Sequence, residues 1–222
     1  MPISEVQGDT DTSPRDDDTL TVEAVVTSVL TGDDEGDQLG GFFIEEEIVD
    51  RDTDPDTSEG IFVFAGAQSD SLDLDEGEVV EVTGLVEERF GQTQINASTG
   101  TISEIAPAAV GSVLLPAPAE VDELPDTTAG RTAEFEPFEG MRVQLQETWV
   151  VTEQFNLHTN GEVELVPGTQ PLQSPTNIME PGDAAGELED KITANLKVLY
   201  LDDTRDGNLT SGEDRPAPLP VG

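Results

Sequence analysis

The chain has 222 residues, of which 49 are Asp or Glu and only 9 are Lys or Arg, so its formal net charge is −40. Repulsion of this kind destabilises a compact chain in dilute salt, but at molar salt the Debye length is about 3 Å and the repulsion is largely screened. The composition therefore predicts a protein of a high-salt environment. It contains no cysteine, which excludes disulfides and thiol chemistry.

The first strand signal is a run of alternating residues at positions 20–30. Its apolar side chains recur at a period of two and share one face: Leu20, Val22, Ala24 and Val26. Such alternation predicts a half-buried β-strand. Two shorter apolar runs, at residues 40–46 and 61–65, predict the second and third strands.

The clearest strand signal covers residues 78–90, where valines alternate with polar residues and Gly84 interrupts the apolar face. A glycine at such a point is typical of a bulge or a sharp barrel bend. Residues 93–97 predict a fifth strand, which residues 101–105 extend. Five short antiparallel strands with one bent member favour a small Greek-key barrel of the OB class. No segment before residue 120 shows a helical period.

The second half of the chain predicts a smaller β-part. Residues 140–152, 161–166 and 196–201 predict three strands, and residues 187–195 predict a short helical turn. Three strands are too few for a closed barrel, so this part either packs on the first barrel or belongs to a larger domain.

The sequence thus predicts an all-β protein with an OB-like five-stranded barrel followed by a second, smaller and incomplete β-domain. The predicted boundaries, in chain order, are an N-terminal extension at 1–17, the barrel at 18–114, a linker with a short helix (126–135) at 115–136, the second β-part at 137–203, and a disordered, acidic and proline-rich tail at 204–222. No apolar run approaches the about 20 residues that cross a bilayer, so no membrane span is predicted.

Many short motifs follow one another in an order that resembles the OB-like region of large secreted bacterial and archaeal extracellular nucleases. In the first half they lie at residues 3–8, 20–27, 40–44, 54–64, 82–86 and 90–95, and in the second half at residues 138–143, 151–157, 161–163 and 173–177. The resemblance implies an extracellular or cell-surface location. In that family the region precedes a metal-dependent catalytic domain of the endonuclease/exonuclease/phosphatase type. The residues present have no counterpart of that domain, so the resemblance implies a partner domain in a longer parent chain.

Catalytic signals are weak. Phosphodiester hydrolysis needs an activated nucleophile, usually through a histidine or a metal-bound water. The only histidine, His158, lies in a polar turn that favours a solvated side chain, and the sequence has no glycine-rich phosphate loop. We therefore expect no enzymatic activity from these residues.

One acidic loop is a candidate cation site with Ca²⁺ as its ion. Carboxylate oxygens are the ligands that hard cations prefer, and acids recur at nearly every second position of this loop: Asp50, Asp52, Asp54, Asp56 and Glu59. The spacing is not that of an EF-hand. The alternative is a solvated loop in a protein rich in acids. A weaker second candidate consists of Asp202, Asp203, Asp206 and Asn208.

Four residues are candidates for weak contact with DNA: Phe43, Phe62, Arg89 and Phe90. OB barrels bind single strands through aromatic stacking and a basic groove. The charge argues against tight binding, because phosphate affinity depends on lysine and arginine. Many of the phenylalanines are also expected to fill the core.

Two functions remain open at this point. The first is a non-catalytic accessory module of a secreted halophilic nuclease, which binds cations or contacts DNA weakly. The alternative is a stand-alone surface structural or adhesive protein that self-associates through exposed strand edges. An open reading frame that continues past Gly222 into an α/β domain would favour the first.

Overall fold

The computed structural model describes residues 1–31, 39–105, 115–122, 135–157, 161–194 and 198–201. It confirms the all-β prediction, with a closed five-stranded barrel and two small sheets. The chain divides into two compact units. The first contains Met1–Glu120 and Ala133–Gln144, and the second contains Val121–Thr132 and Leu145–Gly222. The first unit therefore includes residues that the sequence assigned to the linker and to the second β-part.

The barrel has the strand order β1-β2-β3-β5-β4 and closes through the pairing of β1 with β4. Its strands are β1 Thr19–Leu30, β2 Gly41–Glu45, β3 Gly60–Phe64, β4 Val79–Arg89 and β5 Gln92–Ile105. The pair β3–β5 is parallel and the other pairs are antiparallel. This is the Greek-key arrangement expected of an OB-like barrel.

Period-two alternation explains the core of the barrel. The predicted inner faces of β1 and β4 are confirmed, because Val22, Ala24 and Val26 are buried together with Val80, Val82 and Val86. Gly84 marks a shift in the register between β4 and β5. A Cβ at this position would lie 2.6 Å from the carbonyl oxygen of Asn96. The predicted bulge at this glycine is therefore confirmed.

Short helical segments lie before residue 120, where the sequence shows no helical period. Helix α1, Ile3–Gln7, and a 3₁₀ helix, Gly66–Ser71, lie in this region. Helix α1 has only five residues, too few to display a helical period. Its Ile3 and Val6 are fully buried in the barrel core, so the N-terminal extension is part of the barrel unit.

The second unit contains a three-stranded sheet of order β10-β9-β8. Its strands are β8 Trp149–Glu153, β9 Val163–Pro167 and β10 Leu199–Leu201, and its helices are α2 Pro175–Ile178 and α3 Asp183–Ala194. The shorter strands β6 Ala119–Val121 and β7 Val143–Leu145 form a two-stranded sheet.

The prediction of one long strand at residues 140–152 is wrong. Strand β7 ends beside β6, where the N–H of Gln146 donates to the carbonyl of Val121, and a new pairing with β9 begins at Trp149. The change of partner breaks the strand. Most of the predicted linker helix and the whole predicted tail lie outside the described residues. No helix in the described ranges is long and apolar enough to cross a membrane.

Candidate functional site

Two of the aromatic residues predicted to contact nucleic acid lie on the outside of the barrel, because they alternate with core residues. Phe43 lies between the core residues Phe42 and Ile44 on β2 and opposite Phe62 on β3. The two ring centroids are 5.0 Å apart, a separation typical of aromatic pairs. Phe62 is only 4% exposed, so it supports the partly exposed ring of Phe43 instead of offering a stacking surface itself.

Amide side chains extend this outer face onto β5. Gln94 pairs with Phe62 across the β3–β5 ladder, and Asn96 is the next residue on the same face. Their side-chain nitrogens donate to Oε1 of Glu87 on β4, at 2.5 Å and 3.2 Å. Glu87 thereby orients both amides. Aromatic rings and amides together can stack on bases and hydrogen-bond to their edges.

The β4–β5 turn presents the other two predicted residues, Arg89 and Phe90. Its central residues, Phe90 and Gly91, both have positive φ, at 57° and 81°, and Arg89 pairs with Gln92 across the turn. A two-residue hairpin loop with positive φ at both positions has the form of a type I′ turn. The ring of Phe90 is 98% exposed. The Cζ atom of Arg89 lies 5.1 Å from the ring centroid, within cation–π range.

Phe90 is unfavourable for the fold in two independent ways. Type I′ turns prefer Asn, Asp or Gly at this position, and the left-handed conformation costs other residues about 1–2 kcal/mol. A ring in water also contributes no buried apolar area to stability. A bulky residue in a strained and exposed position points to a contact outside the barrel itself.

The positions of these residues match the surface that OB barrels use for ligands, namely the face of strands 2 and 3 and the loops that join strands 1–2 and 4–5. Phe43 and Phe62 lie on the first of these surfaces. Arg89 and Phe90 lie on the loop between strands 4 and 5.

The acidic loop between β2 and β3 uses its carboxylates to fold itself. Oδ1 of Asp52 accepts the N–H of Asp54 at 2.7 Å, and Oδ1 of Asp54 accepts that of Asp56 at 3.1 Å. Oε1 of Glu59 accepts the N–H of Asp52 at 2.8 Å. Burial acts to raise the pKa of Asp52, but the bond from Asp54 and those from neighbouring hydroxyls outweigh it and hold that pKa below its ordinary value.

The loop carboxylates are not gathered into a coordination sphere. Calcium takes roughly six to eight oxygen ligands. Within the described ranges, no group of three or more acidic or histidine side chains is placed to hold a metal ion. The calcium site at Asp50, Asp52, Asp54, Asp56 and Glu59 stays a prediction. The second candidate, at residues 202–208, and His158 lie outside the described residues.

Sequence reasoning missed a set of glutamates at the base of the barrel, which we define as the end where β2 stops and β3 begins. Glu45 is fully buried, with Oε2 2.8 Å from Nη2 of Arg51 and Oε1 accepting the N–H of Arg142 at 2.7 Å. Glu46 is 4% exposed and accepts the N–H of Ile3 at 2.7 Å. They lie near Glu59, which the sequence had already placed in the candidate cation site and whose buried Oε2 has no hydrogen-bond partner among the described residues.

Burial changes the acidity of these groups. It raises the pKa of Glu46 to about 7, and the nearby carboxylates of Glu59 and Asp50 act in the same direction, while the Ile3 N–H opposes them. Burial also raises the pKa of Glu139, again to about 7. For Glu45 it raises the pKa despite the opposing bonds from Arg142 and Arg51. No sequence signal distinguished these glutamates from the many solvated acids of the chain.

Comparisons of the chain with protein-family models, with curated proteins and with solved structures find no match. The resemblance to secreted nucleases therefore depends on the order of short motifs alone.

Proposed function

We propose that the barrel is a non-catalytic accessory module that contacts single-stranded nucleic acid, in a larger secreted nuclease of a high-salt environment. The observation that carries the proposal is Phe90, which is 98% exposed at positive φ with Arg89 beside its ring. The order of motifs, which resembles that of secreted nucleases, and the net charge of −40 support the setting.

Single strands are the favoured ligand because their bases are free to stack. An exposed ring accepts any base, and such stacking contributes about 1–3 kcal/mol per base. Phe90 offers one such ring, and Phe43 offers a second, partly exposed one that Phe62 holds in place. Paired bases inside a duplex present no free face to either ring.

The charge of the protein sets the kind of binding. Arg51 is paired with the buried Glu45, and Arg15 lies 3.9 Å from Asp18, so neither is placed as a free phosphate contact. Arg89 lies beside the exposed ring. If Arg89 makes one phosphate contact, a plot of the logarithm of the binding constant against the logarithm of the salt concentration should have a slope of only about −0.7. Binding by stacking thus tolerates the molar salt that the acidic surface requires.

Fluorescence anisotropy with a labelled oligothymidylate, recorded over a series of KCl concentrations, tests the proposal. Phe90→Ala should weaken binding by about 5- to 150-fold. The matched control is Phe155→Ala, which removes another exposed ring, 84% accessible, from the second unit. Arg89→Gln should flatten the salt dependence by about 0.7 in slope.

The expected result is binding of the single strand that depends on Phe90, is unaffected by Phe155→Ala, and exceeds binding of the matching duplex. Equal affinity of the Phe90→Ala variant and the unmodified protein would refute the proposal. So would an oligonucleotide that stays unbound at every salt concentration.

A second candidate function is self-association as a surface structural protein. Strand β10 ends one side of the three-stranded sheet, and its Tyr200 and Leu201 are both more than half exposed. Exposed strand edges recruit further strands. Size-exclusion chromatography with light scattering at low and high salt tests this function, and a monomer under both conditions would rule it out.

A further inference from the structure

A short segment at residues 135–142, here called the strap, lies against the barrel, although it is remote from the barrel strands in sequence. The carbonyl of Glu139 accepts the hydroxyl of Ser58 at 2.6 Å. Oε1 of Glu139 accepts the N–H of Thr93 at 2.8 Å. The N–H of Arg142 donates to Oε1 of Glu45 at 2.7 Å. Polar bonds thus fix the strap to β2, β5 and the loop before β3.

The strap crosses the barrel beside the aromatic pair. Glu45 and Gly60 are paired across β2 and β3, and Phe43 and Phe62 form the next pair on the same outer face. Two residues along a strand span about 6.6 Å. Because the strap contacts the Glu45–Gly60 pair, it bounds the aromatic face at the base of the barrel.

Close packing of two glycines shows how near the strap lies to the sheet. A Cβ placed on Gly60 would lie 2.5 Å from the carbonyl carbon of Gly140, and a Cβ on Gly140 would lie 2.8 Å from the nitrogen of Ile61. Gly140 also has a φ of 71°, which favours glycine. The strap therefore fits against β3 only while both positions lack side chains.

The carboxylate that holds the strap has acidic neighbours. Thr93 donates its N–H to Glu139 and its hydroxyl to Oε1 of Glu88, so two carboxylates share one residue. Besides burial, the negative charge of Glu136 on the strap raises the pKa of Glu139. In the same way, burial and the negative charge of Asp11, which follows α1, raise the pKa of Glu136. The other groups that face Glu139 are the neutral Thr93 on β5 and Gln7 on α1.

We propose that the strap is a proton-controlled cover over the Glu45–Gly60 pair at the border of the aromatic face, held closed when Glu139 is neutral and loosened when Glu139 ionises beside Glu88 and Glu136. Its regulatory role rests on the nucleic-acid contact proposed above. Loosening uncovers the Glu45–Gly60 pair and lengthens the surface next to Phe43.

The sign of the effect follows from linkage. Burial, assisted by Glu136 and Glu88, raises the pKa of Glu139 to about 7 from an ordinary value of 4.5. The closed strap therefore binds the proton more tightly than the open one, and closure weakens as the pH rises from about 4.5 through about 7. The full pKa shift corresponds to a change of about 300-fold in the equilibrium constant for opening of the strap. Because Glu139 is partly exposed to solvent, the change should be smaller, and we expect the equilibrium constant to change by about tenfold or more.

Amide hydrogen exchange tests the proposal on the full chain in molar KCl. The N–H groups of Arg142 and Thr93 report the strap directly, because both donate to the carboxylates that fix it. Their protection, corrected for intrinsic exchange, should fall about tenfold or more between about pH 5 and about pH 8. Glu139→Gln keeps an acceptor for Thr93 but has no ionisable group at position 139, so the protection of the Thr93 N–H should stay constant in this variant. Arg142 donates to Glu45, which still ionises, so Thr93 is the deciding reporter. Glu81→Gln, an exposed glutamate on β4, is the matched control and should behave like the unmodified protein.

Protection that is independent of pH, or that falls equally in Glu139→Gln, would overturn the proposal. Oligothymidylate affinity should rise over the same pH range in the unmodified protein and stay constant in Glu139→Gln. If amide exchange at the strap depends on pH as predicted but no oligonucleotide binds, the nucleic-acid function alone is refuted and the proton-dependent opening stands. Binding that depends on Phe90 with a strap insensitive to pH would refute the strap alone.

Discussion

Glu46 offers a sharp test of how burial acts on the carboxylates at the base of the barrel. Its side chain is 4% exposed and accepts the N–H of Ile3 at 2.7 Å, which ties helix α1 to the end of β2. Replacement by glutamine keeps an oxygen acceptor for that N–H and removes the ionisable group. The Glu46→Gln variant therefore isolates the free energy of ionising this buried acid.

The magnitude follows from the shift in acidity. Burial raises the pKa of Glu46 to about 7 from 4.5. Because the folded-state pKa is the higher one, the neutral carboxyl stabilises the fold fully below about pH 4.5, and this contribution is lost as the pH rises through about 7. The shift corresponds to about 3 kcal/mol. Above this pH range the free energy of unfolding of Glu46→Gln should exceed that of the unmodified protein by up to about 3 kcal/mol. Below about pH 4.5 the two free energies should be nearly equal.

The assay must report the barrel alone. Trp149 belongs to the second unit, so its fluorescence would follow the wrong part of the chain. Native-state amide exchange at the core residue Val82 measures the free energy of unfolding of the barrel instead. Molar KCl screens the repulsion among surface acids, whose own titration would otherwise add to the pH dependence.

The control variant is Glu23→Gln, an exposed glutamate on the neighbouring strand β1 that lines the same surface cleft as Glu46. It removes one negative charge without changing a buried group, so its pH dependence should match that of the unmodified protein. If Glu46→Gln and Glu23→Gln lose stability equally between about pH 4.5 and about pH 8, burial of Glu46 has no energetic consequence and the reasoning is refuted.

Three further predictions concern the turn, the strap and the acidic loop. Phe90→Asn relieves the left-handed strain and should stabilise the barrel by about 1 kcal/mol in thermal unfolding while it weakens oligonucleotide binding; a loss of stability would contradict the strain argument. Gly60→Ala places a Cβ against the strap backbone and should lower the exchange protection of Arg142, whereas unchanged protection would show that the contact is loose. A calcium site in the loop requires a saturable heat on Ca²⁺ titration in molar KCl that the Asp52→Ala/Asp54→Ala variant lacks, and identical heats would exclude it.

The barrel strands were predictable because alternation is a local property. Val22, Ala24 and Val26 on β1 occupy the core as their spacing indicates. A glycine that breaks such a face marks a bulge for a local steric reason, and Gly84 does so here. Strand ends were less predictable, since the break after β7 depends on a partner strand that is distant in the sequence.

The positions of the candidate aromatic residues were also partly predictable. Phe43 and Phe62 alternate with core residues, so their outward direction follows from the strands. The exposure and strain of Phe90 depend on the turn conformation, and the near-complete burial of Phe62 depends on packing across the sheet. Neither is encoded in the spacing of the residues.

The sequence by itself determined the strand faces and the net charge, because alternation and charge are set by neighbouring residues and by composition. Five strands with a glycine-marked bend predicted a barrel, but its closure depends on the pairing of β1 with β4, which are distant in the sequence. Only the tertiary structure decided which acids matter. Glu45, Glu46 and Glu47 follow one another in the chain, yet the first two are buried and the third is not. The pKa values of Glu45 and Glu46 depend on burial and on contacts with helix α1 and the strap, which come from distant parts of the chain. In a protein with 49 acidic residues, no local pattern identifies the few that are removed from water.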